Sequence, residues 1–322
     1  MAPRGEAIAV ASSLPLHRPV LTVEVLAALD PRSGRLLLDG TVGTGGHAAA
    51  WLEAIAPDGC VIALDRDGSA LAAAGERLAA FGDRARLVHA DYRDASDLLD
   101  GLGVEAIDAA LIDLGLGTHQ IDDPERGFAF RFDSPLDMRF DRDTPGPTAA
   151  DLVNHLPEPE LARVLFEYGE ERASRRLARL IVEARRRQPI RTTSELARLV
   201  RSTLGGHGRD RIDPATRTFQ ALRIAVNREL EGLAEAIEAL VRRLAPGGRL
   251  AVISYHSLED RVVKHTLRRL AEPCHCRRGD PCSCGALMLL ELEERHPVTP
   301  SEDEVAVNPR ARSAKLRWGI RR

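Results

Sequence analysis

Five residues constrain the fold of this chain more than any others. The turn Gly43-Thr44-Gly45-Gly46-His47 lies between an apolar run, Arg35-Leu-Leu-Leu-Asp39, and a helix-forming stretch from His47 to Ile55. Strand, glycine turn and helix in that order open a doubly wound α/β sheet, with the first amides of the helix turned toward a bound ligand. Gly43, Gly45 and Ala48 also satisfy the dinucleotide pattern G-x-G-x-x-G/A. The turn alone therefore leaves three readings open: a nicotinamide cofactor, a methyl donor, or a structural tight turn.

The residues that follow narrow the choice. Apolar runs end at carboxylates: Cys60 to Leu64 before Asp65, Ala85 to His89 before Asp91-Tyr92, and Ile107 to Ile112 before Asp113, with a helical stretch Ser69 to Phe81 between two of them. Alternating strands and helices predict a parallel sheet with helices on both faces. Ligands of such a sheet sit beyond the carboxyl ends of its strands, so Asp39, Asp65, Asp91 with Tyr92, and Asp113 are expected along one crevice. Asp65, about twenty residues after the glycines, has the spacing of a carboxylate that accepts hydrogen bonds from both ribose hydroxyls. Asp91-Tyr92 is suited to an adenine. The loop Asp113-Leu-Gly-Leu-Gly-Thr-His-Gln120 stands where amino-methyltransferases place their reactive loop. Acceptors there, from Asp113, Gln120 or nearby carbonyls, would hold the protons of an exocyclic amine as its nitrogen becomes pyramidal.

After Asp113 the alternation stops. A loop from Gly115 to Pro147 leads to helical segments Glu158–Tyr168, Glu171–Arg187 and Thr193–Leu204. Asp213-Pro214 has the form of a helix start, and one long helix is expected from there to Ala245, ended by Pro246-Gly247-Gly248. Arg249 to Tyr255 is again apolar, so the sheet resumes and the helices interrupt it. The expected division is a first methyltransferase part over 1–125, an inserted helical domain over 126–212, and a second part over 213–322 with a basic C-terminal tail. Phe128, Phe130 and Phe132 are either platforms for a flipped base or one face of a short core strand.

The average charge of -3 over 322 residues hides an uneven distribution. Between Arg172 and Arg211 twelve arginines face three acids, a local charge of +9, and from Val305 to Arg322 five arginines and one lysine face none, giving +6. Such clusters suit a phosphate backbone, while a solvated arginine-rich face is the plainer alternative. No apolar run is long enough to span a bilayer, and the prolines at 3, 15 and 19 break the N-terminal stretch, so no membrane partner and a cytoplasmic address are expected. Of five cysteines, four fall within eleven residues: Cys274, Cys276, Cys282 and Cys284. Four soft ligands could hold zinc, but C-x-C is tighter than the usual C-x-x-C knuckle, and reduced or facultatively paired thiols with no metal are the favoured expectation. His256 could be catalytic or could fix the loop around Glu259 and Asp260.

Seven blocks carry a resemblance. Leu38-Asp-Gly-Thr-Val-Gly-Thr-Gly-Gly-His47, Ala63-Leu-Asp-Arg-Asp67, Asp122-Asp-Pro-Glu-Arg-Gly-Phe128, Ser134-Pro-Leu-Asp-Met-Arg139, Thr216 to Asn227, His256-Ser-Leu-Glu-Asp260 and Asn308 to Arg317 resemble the signature segments of the RsmH/MraW methyltransferases. The resemblance runs from about His17 to Arg317. It implies a Rossmann-like class I methyltransferase fold with a mostly parallel sheet and an inserted helical domain. It also implies S-adenosylmethionine as methyl donor and, as target, N4 of cytosine 1402 in 16S ribosomal RNA of the small subunit. A homodimer is a further pairing open to such a chain. Position by position, it implies donor contacts from Gly45, Gly46, His47, Asp65, Tyr92, Asp113 and Gln120; no catalytic residue is assigned. The sequence departs from the family at Leu116-Gly117-Thr118-His119, where Val-Ser-Ser-Pro is common, which bears on the reactive loop more than on donor binding.

Overall fold

The computed structural model describes residues 19–205, 213–274, 276 and 283–322. The N-terminal stretch before Pro19, Arg209 to Arg211 of the basic cluster, and His275 and Arg277 to Cys282 lie outside the described residues.

The first half follows the expected alternation: α1 (Thr22–Leu29), β1 (Leu36–Asp39), α2 (Gly46–Ala54), β2 (Cys60–Asp65), α3 (Gly68–Leu78), β3 (Ala85–His89), α4 (Ala95–Gly101) and β4 (Ile107–Asp113). A short α5 (Thr118–Asp122) precedes the helical region of α6 (Ala149–His155), α7 (Glu158–Glu167), α8 (Ser174–Arg187), α9 (Thr193–Leu204) and α10 (Ala215–Asn227). The sheet resumes with α11 (Leu233–Arg243), β5 (Leu244–Ser254), α12 (Ser257–Ala271), β6 (Leu290–Glu291), α13 (Glu302–Val307) and β7 (Lys315–Arg321). Its seven strands lie in the order β3-β2-β1-β4-β5-β7-β6. Strands β1 to β5 pair in parallel, whereas β7 runs antiparallel to both β5 and β6.

Side chains alternate across each strand, so the two faces of the sheet bury different residues. Leu37, Val61, Ala63, Leu111 and Ile253 face α1, α2 and α3. Leu38, Ile62, Leu64, Ile112 and Val252 face α4, α11 and α12. A third core joins the helical region to the loop ahead of it, with Leu161, Leu165, Leu177, Ile181, Leu196 and Val200 packed with Phe128, Leu136 and Phe140.

Four expectations change. The long helix from Asp213 breaks, because Arg228 takes a left-handed conformation (φ 52°) and α11 starts only after Gly232 (φ 71°). The break is anchored by buried Asn227, whose side chain accepts from the Phe140 amide at 2.8 Å and donates to the Met138 carbonyl at 2.7 Å. Helix α10 buries Ala215, Phe219, Ala221, Leu222 and Val226 in the third core, so the helical unit runs past 212. The Pro246-Gly247-Gly248 segment stands inside β5 rather than before it: Ile107 pairs with Leu244 and Ala109 with Arg249, so the extra residues bulge out of the ladder. Residues 315–321 are no tail but strand β7, where Lys315 and Arg317 reach Asp260 at 3.2 and 2.7 Å. Among the described residues, no helix is long and apolar enough to cross a membrane.

Candidate active site

The glycine turn and the strand-end carboxylates meet at the carboxyl ends of the parallel strands. Gly43 and Gly45 both have positive φ, 53° and 79°. Asp65 holds the turn in place, accepting the Gly43 amide on Oδ2 at 2.8 Å and the Asp67 amide on Oδ1 at 2.9 Å. Burial pushes its carboxyl up, against the pull of those two amides. At Gly43 an added Cβ would meet no atom within 4 Å, so the outer side of the turn is open space. At Gly46 it would come within 2.8 Å of Pro19, which requires glycine where α2 meets the chain ahead of α1.

The four strand-end aspartates are not equivalent. Asp39 lies beneath the turn, 1% exposed, accepting the Thr41 amide at 3.1 Å, and burial pushes its carboxyl up to about 8. Asp91 is engaged by Arg93 through Nε at 2.9 Å and Nη2 at 2.5 Å, so its carboxylate is committed to that guanidinium. Tyr92 packs so closely on Gly40 that a Cβ there would come within 2.9 Å of the tyrosine Cβ. Burial raises the Tyr92 phenol well above its ordinary value, so the ring stays neutral.

Asp113, at the end of β4, accepts the Tyr255 hydroxyl on Oδ1 at 3.0 Å and stands with Oδ2 3.7 Å from His47 Nε2. Its own amide donates to the Thr41 hydroxyl at 2.6 Å, tying β4 to the turn. Burial pushes the Asp113 carboxyl up to about 7, with the Tyr255 hydrogen bond acting the other way. Behind Tyr255 lies a charged cluster in which the expected His256–Glu259 contact is joined by an Arg223–Glu229 pair that the sequence did not indicate. Glu259, 2% exposed, accepts the Tyr255 amide at 2.8 Å and lies 3.0 Å from His256 Nε2. Arg223 pairs with Glu229 through two hydrogen bonds of 2.9 and 2.8 Å and stands 3.9 Å from Glu259. Burial opposes ionisation of Glu259, but the His256 hydrogen bond and the Arg223 charge hold it below the usual carboxylate range. Of the two sequence readings of His256, the observed contacts are those of a side chain that fixes the Glu259 loop.

A second cluster missed by sequence reasoning centres on Asp67, 3% exposed. Its Oδ2 accepts from Arg126 at 2.8 Å and from Gln120 Nε2 at 2.7 Å, while Ser69 donates to Oδ1. Burial would raise this carboxyl, yet hydrogen bonds from His119, Arg126, Ser69 and Gln120 hold it far below the usual range. Arg126 also donates to the carbonyl of Phe140 at 2.8 Å. The start of the helical region is thereby fastened to the loop after β2. Gln120 is buried, its carboxamide spent on Asp67 and on the Gly117 amide at 3.0 Å. At the departure Leu116 to His119 the His119 ring lies over Gly117, where an added Cβ would come within 2.5 Å of it, so a larger residue there would need the ring to move.

Of the three aromatics, Phe128 is buried against Phe140 with ring centres 5.6 Å apart, and Phe130 packs edge-on to Phe219 at 4.9 Å. They belong to the third core, in a loop rather than a strand, and only Phe132, under the Arg131 guanidinium at 4.6 Å, lies apart from it. On α8, Arg175, Arg176, Arg179, Arg186 and Arg187 are exposed. Arg185 instead donates to the carbonyls of Val153 and Leu156, both at 2.7 Å, at the end of α6.

The strand order, the antiparallel β7 and the glycine turn between β1 and α2 define a Rossmann-like class I methyltransferase with an inserted helical region. The model of the MraW methylase family matches residues 15–322, and the chain belongs to that family. A "Ribosomal RNA small subunit methyltransferase H" of Citrifermentans bemidjiense is 52% identical over 303 residues, covering 94% of this chain and 97% of the relative. Proteins of the same name from Geobacter sulfurreducens and Symbiobacterium thermophilum are 52% and 51% identical, each over 94% of this chain and over 97% and 95% of the relatives.

Proposed function

We propose that this methyltransferase transfers a methyl group from S-adenosylmethionine to N4 of cytosine 1402 in 16S ribosomal RNA, acting on the small subunit in the cytoplasm. The observation that carries the reading is the convergence of the Gly43–His47 turn, Asp65 and Asp113 at the ends of adjacent parallel strands, in a chain of the MraW methylase family.

The residues present fit such a donor. Each Asp65 oxygen accepts one backbone amide, leaving lone pairs for two ribose hydroxyls. The open face of the turn at Gly43 leaves room for a ligand, and Gly45, Gly46 and His47 bring the first amides of α2 toward its carboxylate end. Tyr92 offers a neutral ring to the adenine. Gln120 acts through the loop it holds, since both ends of its carboxamide are engaged.

When bound, S-adenosylmethionine supplies an electrophilic methyl group on a sulfonium. The chain's own contribution is to position the amine. The lone pair of N4 is delocalised into the cytosine ring, and acceptors for its protons favour the pyramidal nitrogen from which attack proceeds. Asp113, oriented by Tyr255, is the ionisable acceptor at the mouth of the reactive loop, and can take the proton that N4 loses after the methyl has moved. Exposed arginines of α8 are the proposed contacts to RNA phosphates. Lys315 and Arg317, paired with Asp260, contribute less to that surface than their charge suggested.

Calorimetry against S-adenosylmethionine and NAD tests the donor. Binding of the first and not the second is expected, and tight NAD binding without binding of the methyl donor would overturn the assignment.

A further inference from the structure

We infer that Cys274, Cys276 and Cys284 form a zinc-binding clip that closes the connection between α12 and β6. Their sulfur atoms all lie within 4.8 Å of one another, although ten residues separate the first from the last. The Cys274 and Cys284 sulfurs are 3.6 Å apart. A tetrahedral ion with zinc–sulfur bonds of about 2.3 Å holds its sulfurs about 3.8 Å apart, whereas a disulfide needs about 2.05 Å. The 3.6 Å spacing excludes a disulfide between Cys274 and Cys284 and matches two ligands of one ion.

Apolar packing does not account for the convergence. A free cysteine usually behaves as a small buried hydrophobe, yet Cys274 and Cys284 are exposed and Cys276 is half-buried. Leu287 and Met288, further along the connection, are exposed as well, at 79% and 52%. The far end is closed by backbone bonds from the Leu289 amide to the Leu270 carbonyl at 2.9 Å and from the Arg322 amide to the Leu289 carbonyl at 3.1 Å. An ion held by three thiolates would cross-link the start of the connection to its return.

Thiolates select zinc over magnesium or calcium, which take oxygen ligands. The three cysteines leave one position of a tetrahedral ion to a further donor, and each thiol loses its proton on binding. The C-x-C spacing that argued against a metal is overcome by the return of the chain, which brings Cys284 to the first pair. Cys60, at the start of β2, is outside the cluster and serves as the internal control.

The full chain, without a metal-binding tag, would be purified from zinc-supplemented cells and its metal measured by mass spectrometry. About one zinc per chain is expected, falling below about a tenth in Cys276→Ser and Cys284→Ser and unchanged in Cys60→Ser. Cobalt added to the metal-stripped wild type should give an intense thiolate-to-metal absorption band, absent from Cys276→Ser. Should the serine variants fail to fold, stripping the wild type with a chelator provides the second readout: a lower Tm that zinc restores and magnesium does not. Less than a tenth of an equivalent of zinc in the wild type, equal zinc in Cys276→Ser, or a Tm indifferent to stripping would overturn the inference.

Discussion

The Tyr255 hydroxyl donates to Asp113 Oδ1 across 3.0 Å, joining the residue after β5 to the last residue of β4 at the mouth of the reactive loop. Because that bond favours the ionised carboxylate, it restrains a pKa that burial pushes up to about 7. Asp113 is protonated below that value and ionised above it. The account requires the ionised form, so kcat/KM should fall as pH drops below about 7. In Tyr255→Phe the restraint is gone, the Asp113 pKa rises further, and the acidic limb should move to higher pH. A profile identical to that of the wild type would show that Asp113 does not govern the limb.

Asp65→Ala should weaken binding of S-adenosylmethionine by about 1–3 kcal/mol, roughly 5- to 150-fold in Kd, the cost of leaving hydrogen-bonding groups without a partner. Calorimetry measures this directly. Unchanged affinity would place the ribose elsewhere.

Arg126→Met should lower stability by about 3 kcal/mol, because it strands a buried carboxylate; the bonds from Ser69 and Gln120 to Asp67 that remain keep the loss near the lower end of such effects. The sign of the pH dependence follows from Asp67, whose carboxyl is held below its ordinary value of 3.8 in the folded chain. Its contribution to stability is present above that value and disappears as pH falls through the folded one. Urea unfolding should therefore find the variant's deficit unchanged from pH 7 to about pH 4 and shrinking only at lower pH, toward the folded value. A deficit independent of pH would assign the loss to packing of the arginine stem alone.

Replacing Arg175, Arg176 and Arg179 together by Gln should weaken RNA binding and reduce the slope of log K against log salt by about 2, at roughly 0.7 per phosphate contact. Arg185→Gln should leave that slope unchanged and lower Tm, because Arg185 is spent on the carbonyls of Val153 and Leu156. An equal fall in slope for both variants would contradict the division.

The sheet was legible because period and punctuation agree there: each apolar run ends at an aspartate or a glycine turn, and β3 and α9 occur at the expected residues. Strand β7 was misread through its charge. Lys315-Leu316-Arg317-Trp318 alternates as a strand does, but a cluster of cations drew attention to solvent, and the acid that neutralises it, Asp260, lies 55 residues away. Asp67 and Arg126 were quoted in motifs without a role, because their bond spans 59 residues and no local pattern announces it. Asp39 looked like the other strand-end carboxylates, and only its burial beneath the turn separates it from them. The spacing rule applied to the cysteines was local and takes no account of the chain's return, which brings Cys284 beside Cys274.

The most direct test of the account is to incubate the protein with S-adenosylmethionine and small ribosomal subunits lacking the modification, then digest the 16S RNA and weigh its nucleosides. The account predicts about one N4-methylcytidine per subunit, located at cytosine 1402, and its loss in Asp113→Ala. Donor binding without N4-methylcytidine, or a methyl group found on another atom or another nucleotide, would contradict it.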